Sequence, residues 1–272
     1  MKFKIVADSS CDLTNDYIND EEIGFEIVPL SINIDKESFL DNEELNITEM
    51  LKKMKMCSSA AKTSCPSPEY FFNSYDAENV FVVTISSKLS GTYNSAYLGS
   101  VESNNKVHVI DSKGTSGMMI LIIDKIYELI KKGETFEEIK EHIEEYQKSL
   151  NLFFVLDKFD NLVKNGRMSR LTAFVATTLF IKPLCIANDG QIAIYEKPRT
   201  MKAALIKLVN NIKDKCKDFS GKCIVTHCFN KEKAEFVKEL IMKQYSFKEV
   251  IIKPMKGLCS FYALENGIIV SF

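Results

Sequence analysis

Short runs rich in valine and isoleucine alternate with stretches of helical period along most of the chain. That alternation constrains the fold more than any other feature. "KFKIVAD" (2–8), "FVVTIS" (81–86), "KVHVID" (106–111), "NLFFVL" (151–156), "CIVTH" (223–227), "VIIKP" (250–254) and "GIIVSF" (267–272) read as strands. "ITEMLKKMKM" (47–56), "TYNSAYLGSVE" (92–102), "SGMMILIIDKIYELIKK" (116–132), "TFEEIKEHIEEYQKSL" (135–150), "RTMKAALIKLVNNIKDKC" (199–216) and "KEKAEFVKELIMKQY" (231–245) read as helices. Strand–helix alternation predicts α/β layers, with a largely parallel sheet in the first half. "KPLCIANDGQIAIYEKP" (182–198) breaks the pattern. Its Asn188-Asp189-Gly190 turn predicts a hairpin and therefore a mixed sheet in the second half. The expected division is an α/β domain over 1–158 and a second α/β domain over 159–272.

Charge excludes several partners. Of the 272 residues, 26% are charged, but Lys and Arg nearly balance Asp and Glu, for a net −2. No basic excess points to nucleic acid and no basic helix face to an anionic membrane. The apolar runs at 117–123 and 171–181 fall short of the roughly 20 residues that span a bilayer. The first apolar run is too short for a secretory signal, so a soluble cytoplasmic protein is expected. Eight cysteines occur without a CxxC pair. Within "CIVTHC" a strand puts Cys223 and His227 on one face and Cys228 on the other, a poor start for one zinc site. Free thiols and no metal are the expectation.

Hydroxyl residues gather where strands end. "VADSSCD" places Asp8, Ser9 and Ser10 after the first strand, and "TISSKLSGTYNSA" places Ser90, Gly91 and Thr92 before a helix. "VIDSKGTSGM" places Asp111, Ser112, Thr115 and Ser116 at a similar junction. "TSCPSPEYF" (63–71) holds Thr63 and Ser64 on a segment that Pro66 and Pro68 keep extended. In open α/β sheets ligands bind beyond the carboxyl ends of the strands, where helix starts offer free N–H groups. Helix capping explains each loop equally well when taken alone, and Asp8 and Asp111 read as loop ties. "LVKNGRMSR" adds Arg167 and Arg170 beside a turn, suited to a phosphate, a partner or plain salt bridges. No GxGxxG, GxxxxGK[ST] or GxSxG motif is present. An enzyme would have to assemble Asp8, Asp111, Ser90 and His227 as a hydrolase or transferase site.

Together these stretches resemble the DegV family of bacterial fatty-acid-binding proteins. The resemblance rests on "VADSSCDL", "TSCPSPEYF", "ISSKLSGTYNSA", "VIDSKGTSGM", "GRMSRLTA" with "IKPLCIANDGQI", and "EKPRTMKAAL", in family order over almost the full length. It implies two α/β domains with a long-chain fatty acid in a tunnel between them and no cofactor. The protein would be non-catalytic, presenting the carboxylate to a fatty-acid kinase that makes the acyl phosphate. A lipid carrier or sensor without a kinase is the alternative. The family pattern maps the carboxylate contacts onto Thr63, Ser64, Ser90 and Thr92, and makes Arg167 the residue that docks the kinase or its phosphates. Where the family carries a histidine before Gly-Pro-Gly, this chain has Tyr262 before "LEN" (264–266), and Cys65 stands where glutamine is common. Tyr262 can donate to a carboxylate but carries no charge. The mouth is therefore expected to present neutral hydroxyls rather than a cation. The tunnel wall is expected from 171–181 and from the face of "SGMMILII", both of which fit ordinary core as well.

Overall fold

The computed structural model describes residues 1–57, 59–168 and 181–272. Its first sheet is parallel throughout, in the order β2 (Ile23–Val28), β1 (Phe3–Asp8), β6 (Asn79–Thr84), β7 (Lys106–Asp111). β1 and β6 are buried along their whole length, as central strands covered on both faces must be. The second sheet has six strands, β10 (Gln191–Glu196), β9 (Leu184–Asn188), β8 (Leu152–Val155), β13 (Ile268–Ser271), β11 (Lys222–His227) and β12 (Glu249–Pro254). Only β11 and β12 run parallel, so this sheet is mixed. The predicted hairpin turns at Asp189-Gly190, both with positive φ. β8 precedes residue 158 yet pairs with β9 and β13, so the proposed division at 158/159 cuts between β8 and its partners.

The six helices predicted from periodicity form: α1 (Ile47–Met56), α3 (Thr92–Val101), α4 (Gly117–Lys131), α5 (Phe136–Ser149), α7 (Met201–Lys215) and α8 (Lys231–Gln244). Thr135 and Glu138 close a capping box at the start of α5. Among the described residues, three short α-helices went unpredicted: α2 (Pro68–Asn73), α6 (Asp160–Lys164) and α9 (Gly257–Ala263). So did a small antiparallel sheet of β4 (Glu37–Leu40), β3 (Ser31–Ile34) and β5 (Lys62–Ser64). Pro68 starts a helix rather than preventing one, because the first helical position has no use for an N–H.

α4 holds the two large sheets together. Its buried side chains pack on β1 and β6 on one side and on β11 and β13 on the other. The stretch 117–123, a candidate tunnel wall, is this buried core face. α7 and α8 cover the far face of the six-stranded sheet, and α2 and α3 the far face of the parallel sheet. The approach is tight at Gly117, where a Cβ would stand 2.9 Å from Ile224 Cβ and from Ser271 Oγ. Gly117→Val should therefore force α4 off β11 and destabilise the fold by about 1–3 kcal/mol in urea unfolding. A loss below roughly 0.5 kcal/mol, the range of ordinary surface changes, would contradict this packing.

Candidate functional site

A cavity of about 820 Å³, its open mouth included, lies between the carboxyl ends of the parallel strands and the inner face of the six-stranded sheet. Its floor comes from β8. Leu152, Phe154 and Leu156 alternate toward the cavity, while Phe153 and Val155 face α7 and α8. Ile269 sits opposite Phe154 in register and extends the same apolar surface. The far walls are Ile85 and Leu89 from the loop after β6, and Gly114 and Thr115 from the loop after β7. α9 contributes Leu258, Cys259, Tyr262 and Ala263, a spacing that places all four on one helical face.

One corner is polar. Thr63 on β5 projects into the cavity, and its hydroxyl lies 2.7 Å from the Tyr262 phenol oxygen. Burial pushes the Tyr262 phenol up, while the Thr63 hydrogen bond and the Arg167 charge pull it back, so it stays a neutral donor. The Arg167 guanidinium lies 6.0 Å from the Tyr262 ring centroid. It is held there by Nε donating to Leu89 O at 3.0 Å and Nη1 donating to Asn165 O at 2.6 Å. Ser90 also lines the cavity, with its Oγ 2.9 Å from Thr92 Oγ1.

Not all the predicted residues share this wall. Thr63, Ser90, Tyr262 and Arg167 meet on it. Ser64 points to the opposite face of β5, where its Oγ accepts from Asn33 Nδ2 at 3.0 Å. Thr92 is buried behind Ser90. Arg167 faces the cavity, so the corner carries a cation beside its hydroxyls instead of hydroxyls alone. Arg170 and 171–180 lie outside the described residues. The four groups of the rival enzyme site are not assembled. Asp8 accepts from Ser10 and from Ile85 N, Asp111 accepts from Ser87 and Lys113, and His227 accepts from Asn230 N; only Ser90 reaches the cavity. Among the described residues, no group of three or more His, Cys, Asp or Glu could hold a metal ion, and no helix is long and apolar enough to cross a membrane.

Sequence reasoning named Asp8 as a loop tie but missed its buried neighbours behind the site, Asp12 and Asp41. Asp8, Asp12 and Asp41 are all buried. Asp12 accepts from Lys256 N at 2.6 Å and from the Ser116 hydroxyl at 2.5 Å, and Asp41 accepts from Gly257 N and Leu258 N at 2.8 and 2.9 Å. Burial dominates their titration, pushing Asp8 and Asp41 up to about 6 and Asp12 up to about 7, against the hydrogen bonds that pull them down. In the sequence, "DSSCD" showed a polar loop, but nothing local marked Asp41 as its spatial neighbour.

An apolar cavity with an open mouth and a few polar groups at one corner is the kind of site in which α/β proteins hold small ligands. The chain belongs to the DegV family, whose model matches residues 2–271. A DegV domain-containing protein of Streptococcus pyogenes serotype M1 is 39% identical and aligns over 100% of this chain and 99% of its own. Among solved structures, the Streptococcus pneumoniae Fatty Acid Kinase (Fak) B3 protein, loaded with linoleic acid, is 34% identical with a TM-score of 0.94, covering 100% of this chain and 99% of that one. A DegV family protein of Ruminococcus gnavus, refined with vaccenic acid, is 35% identical with a TM-score of 0.92 and the same coverage.

The acid cluster makes stability depend on pH. Each of the three carboxyls binds its proton more tightly folded than unfolded. Their contribution is complete below about pH 4 and is lost as pH rises through 6 to 7. His108 and His227, pushed down by burial, act in the opposite sense near neutrality. The diagnostic is therefore a difference between proteins. Unfolding free energies in urea between pH 5 and pH 8 should fall more steeply for the unmodified protein than for Asp12→Asn. Parallel pH profiles for the two would contradict the assignment.

Proposed function

We propose that this protein binds one long-chain fatty acid in the cavity and presents its carboxylate to a fatty-acid kinase, performing no chemistry itself. The observation that carries the reading is the pairing of a largely apolar cavity with a corner lined by Thr63, Tyr262, Ser90 and Arg167. The likeness to proteins whose structures hold linoleic and vaccenic acid supports it. The kinase role rests on the likeness to the Fak B3 protein. A cytoplasmic location goes with that role.

Magnitudes divide the labour. Each buried methylene contributes ~0.8 kcal/mol, so a chain with about 14 of them gains on the order of 11 kcal/mol before ordering costs. A neutral hydrogen bond nets about 1 kcal/mol and one to a charged group about 1.5–3. Affinity therefore comes from the apolar walls, and the corner fixes which end of the acid reaches the mouth. Ser90 donates to the carboxylate, Thr63 and Tyr262 both do so once the entering acid replaces the bond between them, and Arg167 balances its charge. Thr92 orients Ser90, and Ser64 anchors β5 through Asn33.

Native mass spectrometry of the purified protein should show a stoichiometric adduct of fatty-acid mass that organic extraction removes. A protein that stays ligand-free even after incubation with oleate would end the reading. Thr63→Ala and Ser90→Ala should each slow phosphorylation of the bound acid while leaving the fold intact, and unchanged rates in both would contradict their assignment. Arg167→Ala separates its two roles. Weaker acid binding marks a charge partner, whereas retained binding with lost phosphorylation marks a docking residue.

A further inference from the structure

We propose that Asp12 and Asp41 are positioning residues for the ligand corner: they grip the start of α9, and that grip is what brings Tyr262 to Thr63. This rests on the reading of Tyr262 as a carboxylate donor.

The two aspartates come from loops far apart in sequence. Asp12 follows the 3-10 turn Ser9–Cys11 after β1, and Asp41 follows β4. Their carboxylates take three successive backbone donors, Lys256 N, Gly257 N and Leu258 N. These donors have no partner inside the helix, and no side-chain cap from α9 itself serves them. Both carboxylates are also tied at the back. Asp12 accepts from Ser116, whose hydroxyl lies 2.8 Å from Thr226 Oγ1, and the Asp41 carboxylate accepts from the Ser9 hydroxyl. The Asp41 backbone is fixed separately, its N donating to Leu30 O at 2.8 Å. Lys256, Asp8, Cys11 and Cys259 lie close by.

The small sheet holds α9 at two points. Asp41 follows β4 and grips the helix start, while Thr63 on β5 meets Tyr262 just over one turn further along. A helix is stiff over one turn, so the height and rotation set at residues 256–258 are carried to residue 262. Gly257 fits this arrangement, because a Cβ there would overlap Asp41 Oδ1. Asparagine at position 41 keeps one acceptor oxygen but cannot take both N–H groups as a carboxylate does.

The test is a double-mutant cycle on delipidated protein with oleate as probe, read by calorimetry and by the NMR signal of the hydroxyl-bearing carbon of Tyr262, assigned from its loss in Tyr262→Phe. Asp41→Asn should move that signal toward its position in Thr63→Ala. It should weaken oleate binding about 5-fold to 10-fold, the worth of about one hydrogen bond. In a Tyr262→Phe background it should weaken binding no further. Gly257→Ala, which keeps both carboxylates and displaces one, should reproduce the pattern and serves if Asp41→Asn does not fold. An unmoved Tyr262 signal, or losses that add in the double variant, would overturn the proposal. Tyr262→Phe that binds oleate as tightly as the unmodified protein would instead remove Tyr262 from the corner, while the NMR signal still reports whether Asp41 positions it.

Discussion

The packing of α4 against both large sheets is the constraint from which the rest follows. A helix with its side chains is about 10–12 Å across, so two sheets that share one are held about that far apart. Along α4 the space is filled by its own buried side chains. Beyond its start, at Lys113, Gly114 and Thr115, α4 no longer fills the space between the layers, and the cavity opens there. The gap thus follows from where a helix begins. Gly117, the first residue of α4, packs so tightly on the six-stranded sheet that a Cβ there would meet Ile224 and Ser271.

The polar corner solves a different problem. A carboxylate inside an apolar wall needs donors and a balancing charge, or it takes up a proton. The structure supplies two hydroxyls within hydrogen-bond distance of each other and a guanidinium fixed by backbone carbonyls. Tyr262 stays neutral, its phenol pushed up by burial, so the positive charge in this corner comes from Arg167. The tyrosine supplies a donor and leaves the electrostatics to the arginine.

How far the sequence revealed this varied with the range of the forces involved. Strands β1, β6, β7, β11 and β13 and helices α4, α5, α7 and α8 announced themselves because burial imposes a period on a long enough run. β2 interrupts its pattern with Gly24 and Glu26, β3 to β5 are only three or four residues each, and α9 is seven residues without a polar face. None offers an unbroken pattern over enough periods to read. Thr63 and Ser90 were singled out by family motifs and Tyr262 by a departure from one, and all three line the same cavity, with Thr63 and Tyr262 in contact. The cavity floor was in view as the alternation of Leu152, Phe154 and Leu156, but a strand with apolar residues on both faces hides which face is open. Arg167 was legible as a residue by a turn but not as a wall of the cavity, since its direction is set by the carbonyls of Leu89 and Asn165. The partnership of Asp12 and Asp41 with α9 joins residues more than 200 positions apart and leaves no local trace.

The most direct measurement is a crystal structure with a fatty acid brominated at its methyl end. The bromine's anomalous signal fixes the direction of the chain independently of how the electron density is interpreted. The account predicts the carboxylate within hydrogen-bond distance of Thr63 and Tyr262 and beside Arg167, with the bromine at the opposite end, among the apolar walls. A bromine at the Thr63–Tyr262 corner, or a cavity that stays empty with the acid bound elsewhere, would contradict it.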